Sequence, residues 1–380
     1  MQVGVYYFPN FHSDKRNDLA HGKDWNEWEL VRRAEPKFEG HHQPKIPLWG
    51  FEDESDPKVM AKKIKAAKDA CIDTFIFDWY WYEDGPFLNK ALDVGFLGAE
   101  NSEDLKFALM WANHDWVDIH PAQRSWKQGI NTLYHGSFSE KTFVEATDYM
   151  IKNYFNRANY WRVQGKLYFS IYMLAGLINS FGGVSETKRI LNEFRDRVRN
   201  AGLGELHLNV IVWEMQILPG EVFCSGGEHS DGINGMLDEM GFDSVSTYVW
   251  IHNRVPDKFP FTDYKTYAEA CAKDYALFDS YYKLPYFPNV TMGWDTSPRT
   301  IQSDKYDNVG YPYMAMLQNN TPEEFRKALS RAKTFLQDKS EDLQIMTINA
   351  WNEWTEGSYL EPDTKNGYGY LNAIKEVFEN

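Results

Sequence analysis

Two glutamates late in the sequence are the residues best placed to do chemistry. Glu353 and Glu356 stand three residues apart in the string WNEWTEGSYLEP, directly after the apolar run Gln344–Ala350. Acids at this spacing in a tight turn can point into one small space, where both cannot stay ionised cheaply and the pKa of one rises. One neutral and one charged carboxyl is the division of labour in glycoside cleavage. The E-x-x-E spacing alone is common on solvated helix faces, but its position after a buried strand, between two Trp-containing turns, favours a catalytic interpretation.

The tetrapeptide WNEW occurs twice, at Trp25–Trp28 and at Trp351–Trp354. The first copy follows a polar stretch and leads into ELVRRAEP, whereas the second follows the apolar LQIMTINA and is succeeded by a further acid. Because the flanking residues share nothing, the repeat does not indicate an internal duplication. The second copy is therefore the predicted catalytic one.

Eight short apolar runs alternate with segments of helical pattern, and these elements would position the glutamates. Continuous apolarity is typical of parallel strands covered on both faces. The pattern predicts an α/β fold, a (β/α)8 TIM barrel, in preference to a doubly wound open sheet, because no Gly-rich nucleotide loop follows any run. The runs are Val3–Phe8, Thr74–Phe77, Phe107–Trp111, Leu167–Tyr172, Leu206–Trp213, Ser244–Trp250, Tyr286–Met292 and Gln344–Ala350.

The sequence indicates a single barrel domain over residues 1–380, because no low-complexity linker divides it. A helix is predicted to begin with Ser55 or Asp56 as its cap and Pro57 in its first turn. The long segment between the first predicted strand and this helix, Asn10–Asp56, is too large for an ordinary loop. We expect it to fold over the mouth of the barrel.

In a barrel of this kind the chemistry lies at the C-terminal ends of the strands. Aromatic, acidic and amide side chains follow the predicted strands, as a carbohydrate site requires, because rings cover sugar faces and polar groups hold hydroxyls. A packed or hydrogen-bonded rim residue is the alternative for each one taken singly. The candidate substrate-binding residues at these ends are Asp78, Trp79, Trp81, Trp111, Asn113, His114, Asp115, Glu214, Tyr248, Trp250, Trp294, Asp295, Arg299, Asn352 and Trp354.

Some of these positions carry specific alternatives. Arg299 could hold a carboxylated or phosphorylated sugar, or form a salt bridge to a rim acid, and His114 could bind hydroxyls or cap its strand. Glu361, which precedes Pro362, is interpreted as a turn or helix-cap residue. The pair His41–His42 lacks acids or thiols at ligand spacing, so no metal is expected, and no other cofactor is indicated.

Net charge and cysteine usage limit the partners and the compartment. Forty Lys and Arg against 55 Asp and Glu give a net charge of −15, and a field of that sign makes nucleic acid and membrane surfaces improbable partners. Cys71, Cys224 and Cys271 are far apart and indicate free thiols in a reducing compartment. We therefore expect a cytoplasmic protein, or a periplasmic or secreted one if an export signal has been removed. The sequence does not indicate an oligomeric state.

The motifs, taken in order, resemble the glycoside hydrolase family 99-like group, which includes proteins named after the lipopolysaccharide-biosynthesis protein WbsX. The resemblance covers nearly the whole sequence. Its carriers are YYFPNFH at Tyr6–His12, WNEWELVRRAEPKFEGHHQPKIP at Trp25–Pro47, FDWYWY at Phe77–Tyr82, and the strings WANHDW, GWDTSPR and WNEWTEGSYLEP. It implies a (β/α)8 barrel and the cleavage of α-mannosidic linkages with retention.

The same resemblance implies roles for individual residues. Glu353 would be the base that acts on the sugar's own 2-hydroxyl to give a 1,2-anhydro sugar, and Glu356 would protonate the leaving oxygen and later activate water. Tyr7 would match a strand-one tyrosine that touches the reacting sugar. Glu27 and Trp28 would belong to a family signature on the same rim, lining or shaping the pocket.

The departures from the family pattern lie in WANHDW, where His114 and Asp115 stand in place of the Glu and Asn of many relatives. The sugar and the endo or exo mode of action therefore do not transfer. The resulting hypothesis is a retaining glycoside hydrolase acting on an α-linked, manno-configured or related oligosaccharide or polysaccharide. The alternatives are a glycosyltransferase-like enzyme of surface-polysaccharide biosynthesis, for which neither a nucleotide fold nor a D-x-D motif is found, and a non-catalytic carbohydrate-binding barrel.

Overall fold

The strands of the chain form a closed ring of parallel neighbours, so the predicted (β/α)8 barrel is confirmed. The computed structural model describes residues 1–123, 131–213 and 230–379. Each of the eight predicted apolar runs overlaps one barrel strand. The strands are β1 Gln2–Tyr7, β2 Thr74–Tyr82, β3 Lys106–Trp111, β4 Lys166–Ile171, β5 Leu206–Ile211, β6 Ser244–Ser246, β7 Tyr286–Phe287 with Asn289–Thr291, and β8 Ile345–Asn349.

Strand β7 is interrupted at Pro288, where the ring closes. Its first half pairs with β6, Tyr286 lying opposite Val245, and its second half pairs with β8, Asn289 lying opposite Thr347. Proline has no N–H to give to a ladder, but its carbonyl still accepts from the Thr347 amide at 2.9 Å. The sequence pattern predicts one continuous strand here because a proline does not interrupt apolarity.

Helices follow the strands and cover the outside of the barrel. The predicted cap of α3 is confirmed, since the Asp56 side chain accepts from the Lys58 amide and Pro57 opens the helix. A π-helical segment, Ala91–Phe96, lies between β2 and β3. The helices are α1 Lys15–His21, α2 Trp28–Arg32, α3 Pro57–Asp69, α4 Glu140–Asn153, α5 Leu174–Phe181, α6 Val184–Asn200, α7 Ser230–Met240, α8 Tyr264–Tyr281, α9 Pro322–Leu336 and α10 Gly369–Phe378.

Short strand pairs lie in the loops between the barrel elements. Gly85–Phe87 extends β2 as a hairpin, and Arg162–Val163 does the same for β4. The remaining pairs are Trp116–Val117 with Thr132–Tyr134, Phe261–Asp263 with Met316–Gln318, and Asn352–Glu353 with Ser358–Tyr359.

The segment between β1 and α3 lies across the mouth of the barrel, as expected from its length. It carries α1 and α2, and it contacts the loops that follow β7 and β8. The Trp28 ring packs against Trp354 with centroids 5.7 Å apart, and the Leu48 amide donates to the Pro362 carbonyl at 2.8 Å. The first and last strand ends of the barrel are thereby tied together.

Two observations bear on compartment. Within the part of the chain that the structure describes, no helix is both long and apolar enough to cross a membrane. Cys71 and Cys271 carry free thiols, and Cys224 lies outside the described residues.

At Gly95 the π-helical segment lies close to the backbone of Asn10–Asp56, the mouth-covering segment between β1 and α3. There is no room at position 95 for a side chain. A Cβ atom built there would lie 2.0 Å from the Glu54 carbonyl oxygen. We expect Gly95→Ala to lower the free energy of unfolding by about 1–3 kcal/mol, because backbone must move to admit the methyl group. Chemical denaturation of the purified variants measures this difference.

The matched control is Gly235→Ala in α7, where an added Cβ meets nothing within 4 Å. Alanine has the higher helix propensity, so this variant should be neutral or more stable by up to about 1 kcal/mol. Equal stability of Gly95→Ala and the wild-type protein would contradict the close approach.

Candidate active site

Glu353 and Glu356 lie on a compact turn at the end of β8. Residues Asn352–Glu353 pair with Ser358–Tyr359, and the chain between them makes one 3₁₀ turn that ends at Gly357 with φ +63°. Both glutamate side chains are buried, and both line the same cavity of about 390 Å³. The turn thus brings the two carboxyl groups into one enclosed space.

A single guanidinium joins the acids of the site. Arg299, in the loop after β7, contacts Glu356 and lies 3.3 Å from Glu353 Oε2. Its Nε also donates to Glu27 Oε1 at 2.9 Å. Of the two alternatives for Arg299 in the sequence, the salt bridge to rim acids is the one observed. Three carboxylates already neutralise this cation, so it is a poor receptor for an anionic sugar.

Burial raises the pKa of both glutamates of the turn. For Glu353, burial raises the pKa well above the usual range and the charge of Glu356 adds to the effect. For Glu356, burial also raises the pKa, while Arg299 and the hydroxyl of Tyr311, which donates at 2.7 Å, oppose it. Two carboxyls that line one cavity and contact one guanidinium titrate as a pair, and their raised pKa values favour a bound proton.

Glu27 supports the site from behind. It is fully buried, and Asn10 Nδ2 and the Thr355 hydroxyl donate to it. Burial opposes its ionisation, but Arg299 and His120 outweigh burial and hold the pKa of its carboxyl below the usual value. Glu27 is therefore the fixed counter-ion of Arg299. Of the two roles expected for it, lining or shaping the pocket, its position fits the second, because it contacts Arg299 and does not itself line the cavity.

Strand β2 shows why some predicted aromatic residues miss the cavity. Successive side chains of a strand point to opposite faces, and Asp78 and Tyr80 face the cavity. Trp79 and Trp81 point outward, where Trp79 Nε1 lies 3.4 Å from the hydroxyl of Tyr154. Their assignment to the substrate site is wrong. Within DWYWY, the period-two alternation places Tyr80 on the same face as Asp78. This signal identifies Tyr80, and not Trp79 or Trp81, as a residue that lines the cavity.

The same alternation applies to β3. Trp111 points outward and stacks on Phe138 and Phe143, with ring centroids 4.6 and 5.6 Å apart. Met110 and Ala112, on the other face, line the cavity. Trp111 is thus a core residue between barrel and helix, and its predicted contact with substrate is wrong.

Tyr7 also lies on the outer face of the barrel. Its hydroxyl accepts from Lys63 Nζ at 3.3 Å and lies 3.2 Å from the Met60 sulfur, both on α3. The neighbouring Phe8 faces the cavity. The role at the reacting sugar that the resemblance implied for Tyr7 does not match this position.

The side chains of three further candidates form hydrogen bonds with backbone groups. Trp28 Nε1 and Trp250 Nε1 each donate to a backbone carbonyl at 2.8 Å. Asn113 binds both the N–H and the C=O of Met173 at 2.8 Å, which fixes the start of α5. None of the three lines the cavity, so their predicted contact with substrate is wrong.

Asp295 is held in a separate network beside the site. His41 Nε2 at 2.9 Å, Gln43 Nε2 at 2.8 Å and Lys45 Nζ at 2.5 Å all contact its Oδ2. Burial opposes ionisation, but Lys45 and His41 hold the pKa of Asp295 well below the usual range. Asp295 thus anchors the mouth-covering segment to the loop after β7, outside the main cavity, while the adjacent Trp294 faces that cavity.

Asn352 and the tryptophans of the second tetrapeptide are fixed from behind. Asn352 binds the backbone N–H and C=O of Phe8 at 2.8 and 2.6 Å. Trp351 Nε1 and Trp354 Nε1 donate to the two oxygens of Glu361 at 3.0 and 2.6 Å. Glu353 alone of the four residues faces the cavity. Asn352 and Trp354 therefore position Glu353 and do not contact substrate, and Glu361 is an indole acceptor, not a cap.

A buried lysine completes this support. Lys63 Nζ of α3 lies 2.6 Å from both Glu54 and Glu361, and Glu54 in turn accepts from Asn352 Nδ2 at 2.7 Å. The cation therefore links both hydrogen-bond systems that hold the tetrapeptide.

The cavity wall is largely aromatic, and the sequence identifies only part of it. The candidates that line it are Asp78, His114, Asp115, Tyr248, Trp294, Arg299, Glu353 and Glu356. Lining residues that the sequence analysis missed are Phe8, Tyr80, Met110, Ala112, Trp116, His120, Tyr172, Trp213, His252, Tyr311 and Met314. Glu214 lies outside the described residues.

The histidines of the wall carry no charge at neutral pH. Burial lowers the pKa of His120 and of His252 to about 3, and it lowers the pKa of His114 as well. Across residues 1–123, 131–213 and 230–379, no group of three or more His, Cys, Asp or Glu side chains is arranged to hold a metal ion.

The chain is a (β/α)8 barrel that carries two buried carboxyls, Glu353 and Glu356, in one cavity at the end of β8. The chain belongs to the family described as glycosyltransferase WbsX, whose model matches residues 3–374. It is 28% identical over 395 residues to the uncharacterized protein WxcX of Xanthomonas campestris pv. campestris, in strain ATCC 33913 and in strain B100. The alignment covers 98% of this chain and 49% of that protein, so the chain spans about half the length of these curated relatives.

Solved structures share the fold at low sequence identity. The GH99 endo-α-mannosidase from Bacteroides thetaiotaomicron superposes with a TM-score of 0.59 and 14% identity, covering 100% of this chain and 96% of that one. A structure titled "Glycoside hydrolase-like protein" gives a TM-score of 0.63 and 16% identity, covering 99% and 93%. Identities this low show the shared architecture alone.

The support beneath the tetrapeptide generates a stability prediction. Lys63→Met leaves two buried carboxylates side by side without their cation, so we expect the free energy of unfolding to fall by about 3–5 kcal/mol. The neighbouring Lys62→Met removes an ion pair to Glu52 whose lysine side chain is 38% exposed, which should cost less than about 1 kcal/mol. Denaturant titration of both variants makes the comparison, and equal losses would contradict the support role of Lys63.

Proposed function

We propose that this chain cleaves glycosidic bonds in an oligosaccharide or polysaccharide, with Glu353 and Glu356 as the reacting carboxyls. The observation that carries this proposal is that both carboxyls line one aromatic-walled cavity and contact the same guanidinium, that of Arg299. Aromatic walls suit the apolar faces of sugars. A shared proton on paired acids suits the protonation of a leaving oxygen.

The hydrogen bonds of the two glutamates support different roles. Both oxygens of Glu353 accept, Oε1 from Tyr248 at 3.2 Å and Oε2 from Arg299 at 3.3 Å. Arg299 thereby opposes the rise in the pKa of Glu353 that burial and the charge of Glu356 cause, as an ionised base requires. Both described donors to Glu356, Arg299 and Tyr311, reach Oε1. The other oxygen, Oε2, is therefore the one that carries a proton toward a bound sugar.

These roles fit a reaction in two steps. Glu353 removes the proton of the sugar's 2-hydroxyl, whose oxygen attacks C1, while Glu356 gives its proton to the departing oxygen. Glu356 then takes a proton from water as that water opens the 1,2-anhydro sugar at C1, and Glu353 returns its proton to the 2-oxygen. Two inversions leave the anomeric configuration unchanged. The mannosidase named above motivates an α-manno-configured substrate.

Glutamine variants test the roles with aryl α-mannosides of graded leaving ability. Glu353→Gln should lower kcat/KM by about 10²–10⁴-fold for every substrate, because the base acts in each. Glu356→Gln should lower kcat/KM comparably for poor leaving groups and little for good ones, which depart without a proton. NMR of the released sugar should show retention.

The control for both is Glu29→Gln, which removes an exposed carboxylate of α2 that pairs with Arg32 on the surface. It should keep wild-type activity. Full activity of both cavity variants, on substrates that the wild-type protein cleaves, would exclude the two glutamates as reacting groups.

Sugar transfer is the second candidate, and the description of the family as a glycosyltransferase favours it. A nucleotide sugar would bring a diphosphate into a cavity whose guanidinium already contacts carboxylates of Glu27, Glu353 and Glu356. Like charges at close range disfavour that binding. Calorimetric titration with UDP- and GDP-sugars should give no binding heat at millimolar ligand. Saturable binding that Glu356→Gln alters would favour transfer over hydrolysis.

A further inference from the structure

One phenol lies between two buried carboxyls in the cavity. The hydroxyl of Tyr248, just after β6, is 2.8 Å from Asp78 Oδ2 and 3.2 Å from Glu353 Oε1. Asp78 is 2% exposed, Tyr248 6% and Glu353 4%. Both contacts are hydrogen-bond distances between oxygens.

If both carboxyls are ionised, these two oxygen–oxygen contacts share only one hydrogen, that of the phenol, and two hydrogen bonds need two. A phenol has one hydrogen to donate, and an ionised carboxylate has none. Tyr248 can therefore satisfy only one of its two neighbours as a donor. Burial raises the pKa of Tyr248 well above its usual value, with the charges of Asp78 and Glu353 adding to this, so the phenol keeps its hydrogen. The other contact needs a hydrogen that one of the carboxyls supplies.

The surroundings distinguish the two carboxyls. Glu353 has a cation beside it, because Arg299 lies 3.3 Å from Oε2. Asp78 forms no ion pair with any residue that the structure describes. Among those same residues its buried Oδ1 has no hydrogen-bond partner. Leaving an ionised oxygen buried without a donor is costly, whereas a neutral carboxyl in the same place costs much less.

We infer that Asp78 carries a proton at neutral pH and donates it to the Tyr248 hydroxyl, which in turn donates to Glu353. Asp78 is then a positioning residue. Its proton directs the phenol hydrogen toward Glu353 and so keeps Glu353 in the ionised form that a base needs. This role rests on the proposed function only where activity is the readout.

The charges around the three side chains agree with this assignment. Burial raises the pKa of Asp78 well above its usual range, the Tyr248 hydrogen bond opposes that, and the charge of Glu356 adds to it. The other acids and the cation that face the group are Glu27, Glu356 and Arg299. The neighbouring phenols and imidazoles are Tyr6, Tyr80 and Tyr172, with His114 and His252.

The arrangement has a defined response to alkaline pH. When pH rises through the pKa of Asp78, this carboxyl loses its proton to solvent and becomes the stronger acceptor for the Tyr248 hydrogen. Glu353 Oε1 then faces a phenol lone pair, and the ionised form of Glu353 loses a donor. Base-catalysed cleavage therefore falls on the alkaline side as Asp78 ionises. An asparagine at position 78 keeps an N–H donor at every pH, so it removes this cause of the fall.

Infrared difference spectroscopy tests the proton without any substrate. At neutral pH the wild-type minus Asp78→Asn spectrum should show the C=O stretch of one protonated carboxyl. Asp295→Asn is the matched control, because Asp295 is equally buried but ionised beside Lys45, and its difference spectrum should show only a carboxylate band. Absence of a protonated-carboxyl band for Asp78→Asn in a folded variant overturns the inference.

The pH profile tests the consequence in the active protein. With an aryl α-mannoside of good leaving ability, whose kcat/KM does not depend on the Glu356 proton, the alkaline fall of Asp78→Asn, measured relative to the variant's own value at neutral pH, should begin at least about one pH unit above that of the wild-type protein. In a Tyr248→Phe background the same substitution should change the profile no further, because the connection to Glu353 is gone. An unchanged alkaline fall in Asp78→Asn overturns the role assigned to Asp78. If the wild-type protein cleaves no glycoside, the proposed function fails, and the infrared result still decides whether Asp78 holds a proton.

Discussion

The ion cluster around Arg299 is the constraint on which the site depends. One buried guanidinium contacts Glu27, Glu353 and Glu356, and three carboxylates around one cation leave an excess of negative charge in an enclosed space. That excess is what makes protons bind near neutral pH and what divides the acids into ionised and neutral members. Removing the cation would not free the acids for catalysis, because all of them would then be driven toward the neutral form.

The barrel supplies the rigidity that such a cluster needs. Arg299 comes from the loop after β7, Glu353 and Glu356 from the turn after β8, and Glu27 from the segment after β1. Behind the glutamates, the buried Lys63 links Glu54 and Glu361, and these acids hold the indoles and the amide of the second tetrapeptide. The two WNEW copies thus supply different residues to the same ion cluster. The second presents a carboxyl to the cavity, that of Glu353, and the first presents Glu27, the counter-ion of Arg299.

The strands were predictable because a buried parallel strand appears in the sequence as an apolar run. Each of the eight runs overlaps one barrel strand. The paired glutamates were also predictable, from their position after the last run. It was harder to predict which aromatic residues face the cavity. By residue type alone, Trp79, Trp81 and Trp111 cannot be told from the aromatic residues that line it. Side-chain alternation along a strand separates these from Tyr80 and Met110. Residues on loops, such as Tyr311 and His252, follow no period and were out of reach of the pattern.

The tie between the ends of the ring has a consequence for how the chain is made. Thr355 donates to Glu27 from a position 328 residues later in the sequence, and β1 finds its partner β8 only after residue 345 has emerged. During synthesis the first tetrapeptide therefore leaves the ribosome long before its acidic and cationic neighbours exist. The cavity around Arg299 is therefore completed only after the eighth strand has docked beside the first.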